Sequence, residues 1–114
     1  MATRQLPKDE WKAYFEVVSK ILLGMRAQVE VAALNIGDQI AAEWVPMLGV
    51  VYDSANDVLR ISLDGLEHVI AKPREIYVDE GEAGLSSFEV VDADSVRHIV
   101  QLREPLMLPA PPAA

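Results

Sequence analysis

The 114-residue chain contains no cysteine. That excludes a disulfide framework, a thiolate zinc site, an iron–sulfur cluster and a cysteine nucleophile. Long apolar runs are missing too: none approaches the roughly 18 residues of a membrane span, and the opening MATRQLPKDEW lacks the apolar core of a secretory signal. The expectation is a cytoplasmic protein with no membrane partner. Positive charge is scarce. Ten Lys and Arg stand against eighteen Asp and Glu, a net charge of −8, so the summed field repels phosphate backbones and no nucleic-acid partner is expected. Glycine is sparse and nowhere forms a phosphate-cradling loop, since Gly81 and Gly84 sit among acids. No serine stands in a G-x-S-x-G elbow, no EF-hand spacing occurs, and basic and aromatic residues are not interleaved as single-stranded nucleic acid would require. No catalytic residue, metal ligand set or cofactor is therefore assigned, and enzymatic activity is not the expectation.

About half of the residues are hydrophobic, enough for one domain that buries roughly two thirds of its unfolded surface. We place that domain at residues 1–108 and expect the Pro/Ala-rich residues 109–114 to be a disordered tail. Seven acids lie between Glu75 and Asp94 with no Lys or Arg among them, which reads as a solvated acidic face.

The segment LPKDEWKAYFEVVSKILLG carries both helix end signals. Pro7 suits the first turn, Asp9 and Glu10 sit at its positive end, and Gly24 is placed to stop it. Trp11, Phe15, Val18 and Leu22 form the apolar stripe, widened by Tyr14, Val17 and Ile21. Beyond Gly24 the period becomes alternating. Strands are expected at Arg26 to Leu34, Gln39 to Val45, Gly49 to Asp53, Val58 to Leu63, Leu66 to Lys72, Glu75 to Asp79, Ser86 to Asp92 and Val96 to Arg103. The connections are too short for parallel crossovers. The expected fold is α+β: an N-terminal helix packed on a strongly bent antiparallel meander or small β-barrel.

Asp64-Gly65 between alternating apolar residues calls for a two-residue type I′ hairpin. Its register places Leu63 opposite Leu66, Ile61 opposite His68 and Leu59 opposite Ile70, so His68 falls on the apolar face. His98 sits in the same way among Val96, Val100 and Leu102. A histidine so placed is ordinarily a core-edge residue, although two that meet beside a carboxylate have the parts for moving a proton. Continuing the strand past Ile70 would turn Lys72 and Arg74 inward as unpaired buried charges, at several kcal/mol each. The chain must therefore bend or bulge at Pro73, with both cations outward.

The run IAAEWVPMLGVVY has one charge in thirteen residues, and Pro46 argues for an edge or a break there. Trp44, Val45, Met47 and Leu48 are the candidate interface, covered either by the helix or by a protein partner, in the simplest case a second copy in a homodimer.

Set out in this way, the chain resembles a bacterial family of small proteins of unknown function, DUF5335. The resemblance runs from about Leu6 to Leu108 and rests on LPKDEWKAYF, LEHVIAKP, the following IYV and the final HIVQLREP. It implies a compact bacterial cytoplasmic protein of helix-plus-sheet type and brings no functional residues with it. The preferred reading is a non-enzymatic interaction or self-association domain. The alternative is a small-ligand or anion-binding protein with its site near His68, Lys72 and Arg74.

Overall fold

The computed structural model describes residues 2–22, 24–33, 37–82 and 84–106. The expected tail, with Met107 and Leu108 before it, lies outside them. The elements are β1 (Ala2–Gln5), a 3-10 turn (Lys8–Glu10), α1 (Trp11–Leu22), β2 (Arg26–Ala33), β3 (Gly37–Asp53), β4 (Val58–Leu63), β5 (Leu66–Ala71), β6 (Pro73–Gly81), β7 (Gly84–Asp92) and β8 (Arg97–Leu106).

The helix forms where its stripe requires. Trp11, Phe15 and Val18 are fully buried, while Val17 stays exposed, so the buried face is narrower than the sequence suggested. Phe15 packs on Phe88 with centroids 5.1 Å apart, and Trp11 meets Tyr52 edge-on at 5.2 Å. The indole N–H of Trp11 donates to the Leu6 carbonyl at 2.9 Å, which satisfies a polar atom that burial would otherwise penalise.

The eight strands form one antiparallel sheet in the order β1-β6-β7-β8-β2-β3-β4-β5. The α+β reading holds. The sheet is bent but not closed into a barrel, because β1 and β5 end it and pair with no second neighbour among the described strands. Two meanders, β2 to β5 and β6 to β8, are joined through the β2–β8 ladder from Ala27↔Leu102 to Ala32↔Arg97. Inner-face residues of both, including Met47, Leu59, Ile61, Ile76, Phe88 and Val100, share one core.

The bend lies in β3. Two strands were expected with a break at Pro46, but the chain runs through as one 17-residue strand. Its first part pairs with β2 as far as Arg26↔Pro46, and its last part pairs with β4 from Met47↔Leu63. Trp44 takes a left-handed φ of 51°, and register shifts flank it, so inward parity passes from Ala42 to Met47 and then to Val50. Past Pro46 this strand leaves β2, and α1 takes over its open edge. Ser19 Oγ donates to the Val50 carbonyl and accepts from the Val50 N–H, both at 2.8 Å. The Met47 N–H donates to the Met25 carbonyl at 2.8 Å. Helix cover is thus what allows a proline beside an unpaired strand edge.

The β4–β5 hairpin has the expected register at every pair from Leu59↔Ile70 to Leu63↔Leu66. Its turn differs: Gly65 has φ 80° while Asp64 does not take a positive φ, the pattern of a type II turn and not type I′. The cause is the Asp64 N–H, which donates to the Pro46 carbonyl at 2.9 Å and keeps that residue in line with β4. The bend at Pro73 is present. Lys72 turns with φ 53°, and a register shift between Pro73 and Glu75 restores Ile76 and Val78 to the core. Both cations are exposed and Pro73 is buried. Sequence reading missed β1. Its four residues ATRQ show no apolar alternation, and it is fixed by pairing with β6 and by an Arg4–Glu80 ion pair at 2.7 Å.

Candidate functional site

Three places carry chemistry. The first joins the two histidines. His68 on β5 stands opposite Ile61, and His98 on β8 stands between Val90 and Val31, on strands that do not pair with one another. The rings meet across the interior, with His68 Nε2 2.9 Å from His98 Nδ1. His98 Nε2 in turn lies 3.0 Å from Asp92 Oδ2. The other Asp92 oxygen accepts the backbone N–H groups of Asp94 at 2.9 Å and Val96 at 3.1 Å. Burial pushes the Asp92 carboxyl up, but the His98 hydrogen bond and those two N–H groups outweigh it and hold the group below the usual carboxylate value.

An ionised carboxylate only accepts, which orients the chain of bonds. His98 Nε2 carries the hydrogen toward Asp92. In the neutral ring Nδ1 then accepts, so His68 Nε2 donates and His68 Nδ1 keeps a lone pair. His98 is 7% exposed and His68 is half-buried. Burial, and then the neighbouring His98, hold His68 below the ordinary histidine value. The three groups lie in a line. Among the described residues no cluster of three or more His, Asp or Glu is arranged to hold a metal ion.

The Lys72-Pro73-Arg74 corner rests on the turn that holds Asp92. Pro73 pairs with Asp92, the Ala93 N–H donates to the Lys72 carbonyl at 3.0 Å, and the Lys72 N–H donates to the Asp57 carbonyl at 2.8 Å. His68, Lys72 and Arg74 are therefore gathered around one end of the sheet. Neither cation forms an ion pair among the described residues.

The second place is the outer face of β3, β4 and β5. Of the four residues expected at an interface, Met47 is fully buried in the core, Trp44 and Val45 are half-buried, and Leu48 is 59% exposed. The Arg103 guanidinium lies 5.9 Å from the Trp44 ring centre. Leu48 is joined on the surface by residues that sequence reading passed over. Val51 (56% exposed) and Val69 (46%) flank Arg60 in one cross-strand row, and Leu66 (42%) stands at the hairpin turn. Outward alternation was the signal for Val51 and Val69, since Arg60 and Val69 were already on the face opposite the core, whereas Leu66 shares the inner face of its partner Leu63 and is exposed because it ends the hairpin. Arg60 is paired to Glu67 at 3.1 Å.

The third is a cavity of about 430 Å³ on the outer face of β1, β6, β7 and β8, lined by Thr3, Glu75, Tyr77, Asp79, Glu89 and Arg97 among others. It is where much of the acidic run falls. The Tyr77 hydroxyl donates to Glu75 at 2.8 Å, Arg97 lies 3.5 Å from Glu89, and Asp79 Oδ1 is a buried acceptor without a donor among the described residues. No helix among those residues is long and apolar enough to cross a membrane.

Comparison with known proteins agrees with the family resemblance read from the sequence. A family model described as a family of unknown function (DUF5335) matches residues 2–111, and the chain belongs to that family. An uncharacterised protein of the bacterium Aquifex aeolicus (strain VF5) is 39% identical over 110 residues, covering 96% of this chain and 99% of the relative. No solved structure matches.

Proposed function

For this member of a family of unknown function, we propose a non-enzymatic domain that associates with a second copy of itself through the outer face of β3–β4–β5 and the free edge of β5. One observation carries the reading: Leu48, Val51 and Val69 are exposed on the outer face of β3–β5, and β5 is the strand that ends the sheet. An edge with apolar side chains and unpaired backbone groups is a template for another strand.

Charge favours a second copy at this face. Two chains of net charge −8 repel each other wherever their acids meet, and Glu75, Asp79 and Glu89 lie on the outer face of the β6–β8 meander. The outer face of β4 and β5 carries Arg60 already paired with Glu67. Antiparallel pairing of β5 with its copy, centred on Val69, sets Glu67 opposite Ala71 and brings no like charges together. Leu48 belongs to this contact directly, Trp44 and Val45 stand at the bend that presents it, and Met47 supports it from beneath. Val69→Asp is expected to weaken association on the order of tenfold or more, read as a later elution in size-exclusion chromatography with the far-ultraviolet spectrum unchanged. Unaltered elution contradicts the reading. Met47→Asp would report on folding instead, because it buries a charge.

A second reading is favoured by the unpaired cations of the corner. Lys72 and Arg74 offer donors to a small anion beside the half-buried His68. Inorganic phosphate should then raise the melting temperature of the wild type and not of the Lys72→Ala, Arg74→Ala double variant. An equal response of both proteins overturns it.

A further inference from the structure

The Asp92–His98–His68 chain does more than fill a corner, because it is a side-chain contact between two strands that share no ladder. β5 is held by β4 on one side only, and its inner face reaches β8 through the His68–His98 hydrogen bond. The proton count of that bond follows from its atoms. With both rings neutral, His68 Nε2–H donates to His98 Nδ1 and His98 Nε2–H donates to Asp92. One added proton is tolerated on either ring: on His68 Nδ1 it leaves both bonds as they are, and on His98 Nδ1 it reverses the inter-ring bond once His68 shifts to its other tautomer. A second added proton puts N–H against N–H and two like charges at 2.9 Å. We infer that this chain is a two-proton latch, which holds β5 to β8 with no or one added proton and releases it on the second, loosening the edge strand in mild acid.

Among the described residues, the surroundings supply no other charge in contact to relieve the pair. On β5 itself Glu67 turns outward to Arg60 of β4, whose inward residue opposite His68 is Ile61. On β8, Arg97 turns outward to Glu89 of β7, and the residues flanking His98 are Val90 and Val31. Asp92 is already bonded to His98, Asp94 is exposed on the following turn, and Lys72 and Arg74 are exposed cations at the corner. Asp57 accepts the Tyr52 hydroxyl at 2.8 Å. Among the described residues Asp92 is thus the single counter-charge in contact, enough to favour one imidazolium and not two. Burial of His68 acts in the same direction.

The test is hydrogen exchange of the full chain, followed by mass spectrometry of peptides covering 66–71 and 85–91, with intrinsic rates corrected. Between neutral pH and about pH 5, protection of β5 is expected to fall by roughly tenfold per pH unit once the second proton binds, while β7 keeps its protection. His68→Gln retains a hydrogen-bonding side chain but takes up no proton, so its β5 protection should be flat over the same range. Parallel loss in β5 and β7, or an unchanged pH response in His68→Gln, would each overturn the latch. Acid weakening of self-association through β5 is a consequence that rests on the function proposed above. A protein that sediments as a monomer at both pH values removes that function and leaves the exchange result to decide the latch.

Discussion

Ser19 shows how much one side chain carries here. Its hydroxyl closes both backbone groups of Val50 at the strand edge that β2 has left, so Ser19→Ala leaves a donor and an acceptor without partners. The expected cost is about 1–3 kcal/mol, measured as a lower urea midpoint with an unchanged slope. Tyr52 is a second case: burial, and then the hydrogen bond to Asp57, push its hydroxyl up to about 12. His68 gives a pH prediction with a definite sign. Its folded value lies below the ordinary 6.5, so the unfolded chain takes up the proton first. The stabilisation is complete above about 6.5 and is lost as pH falls through the lower folded value. Asp92 acts in a separate, more acid window, below its ordinary 3.8. Urea midpoints of the wild type should therefore decline on moving below pH 6.5, and those of His68→Gln should decline less. Alternation placed both histidines on inner faces, which is a local property of each strand. Their meeting was not legible, because it depends on β5 folding over β8 some thirty residues away in the chain.

Single elements were legible where local chemistry decides them. The helix stripe, the Asp64-Gly65 register and the turn at Pro73 each follow from a few neighbouring residues, and each is present. β3 was misread because parity was taken as unbroken. A left-handed Trp44 and the register shifts on either side of it let one strand pair first with β2 and then with β4, so a proline that looked like a stop is a point where pairing changes hands. β1 escaped notice because a short polar edge strand has no pattern to detect. The corner makes a clean prediction. Lys72 holds φ 53° with an exposed side chain that forms no ion pair among the described residues. Lys72→Gly should raise stability by about 0.5–1 kcal/mol, seen as a higher melting temperature, and a fall would show that the lysine side chain supports the bend.

At the scale of the whole molecule, the sheet segregates charge. Acids gather on the outer face of the β6–β8 meander, exposed apolar residues on that of β3–β5, and α1 covers the bend within β3. The acidic run was legible along the chain, but its place relative to the apolar face was not, since strand order rests on the β8–β2 ladder that joins the two meanders. The sequence pointed to an interface near Trp44 to Leu48 from apolar density alone. The folded chain keeps Leu48 at the surface, withdraws Met47, and adds Val51 and Val69 on the outer face. The account centres on that face as the place where two copies meet. Sedimentation equilibrium of the wild type across a micromolar dilution series tests it most directly: the account predicts a mass approaching twice the 12.6 kDa of the chain that Val69→Asp returns to one, and a wild type of single-chain mass at every concentration would contradict it.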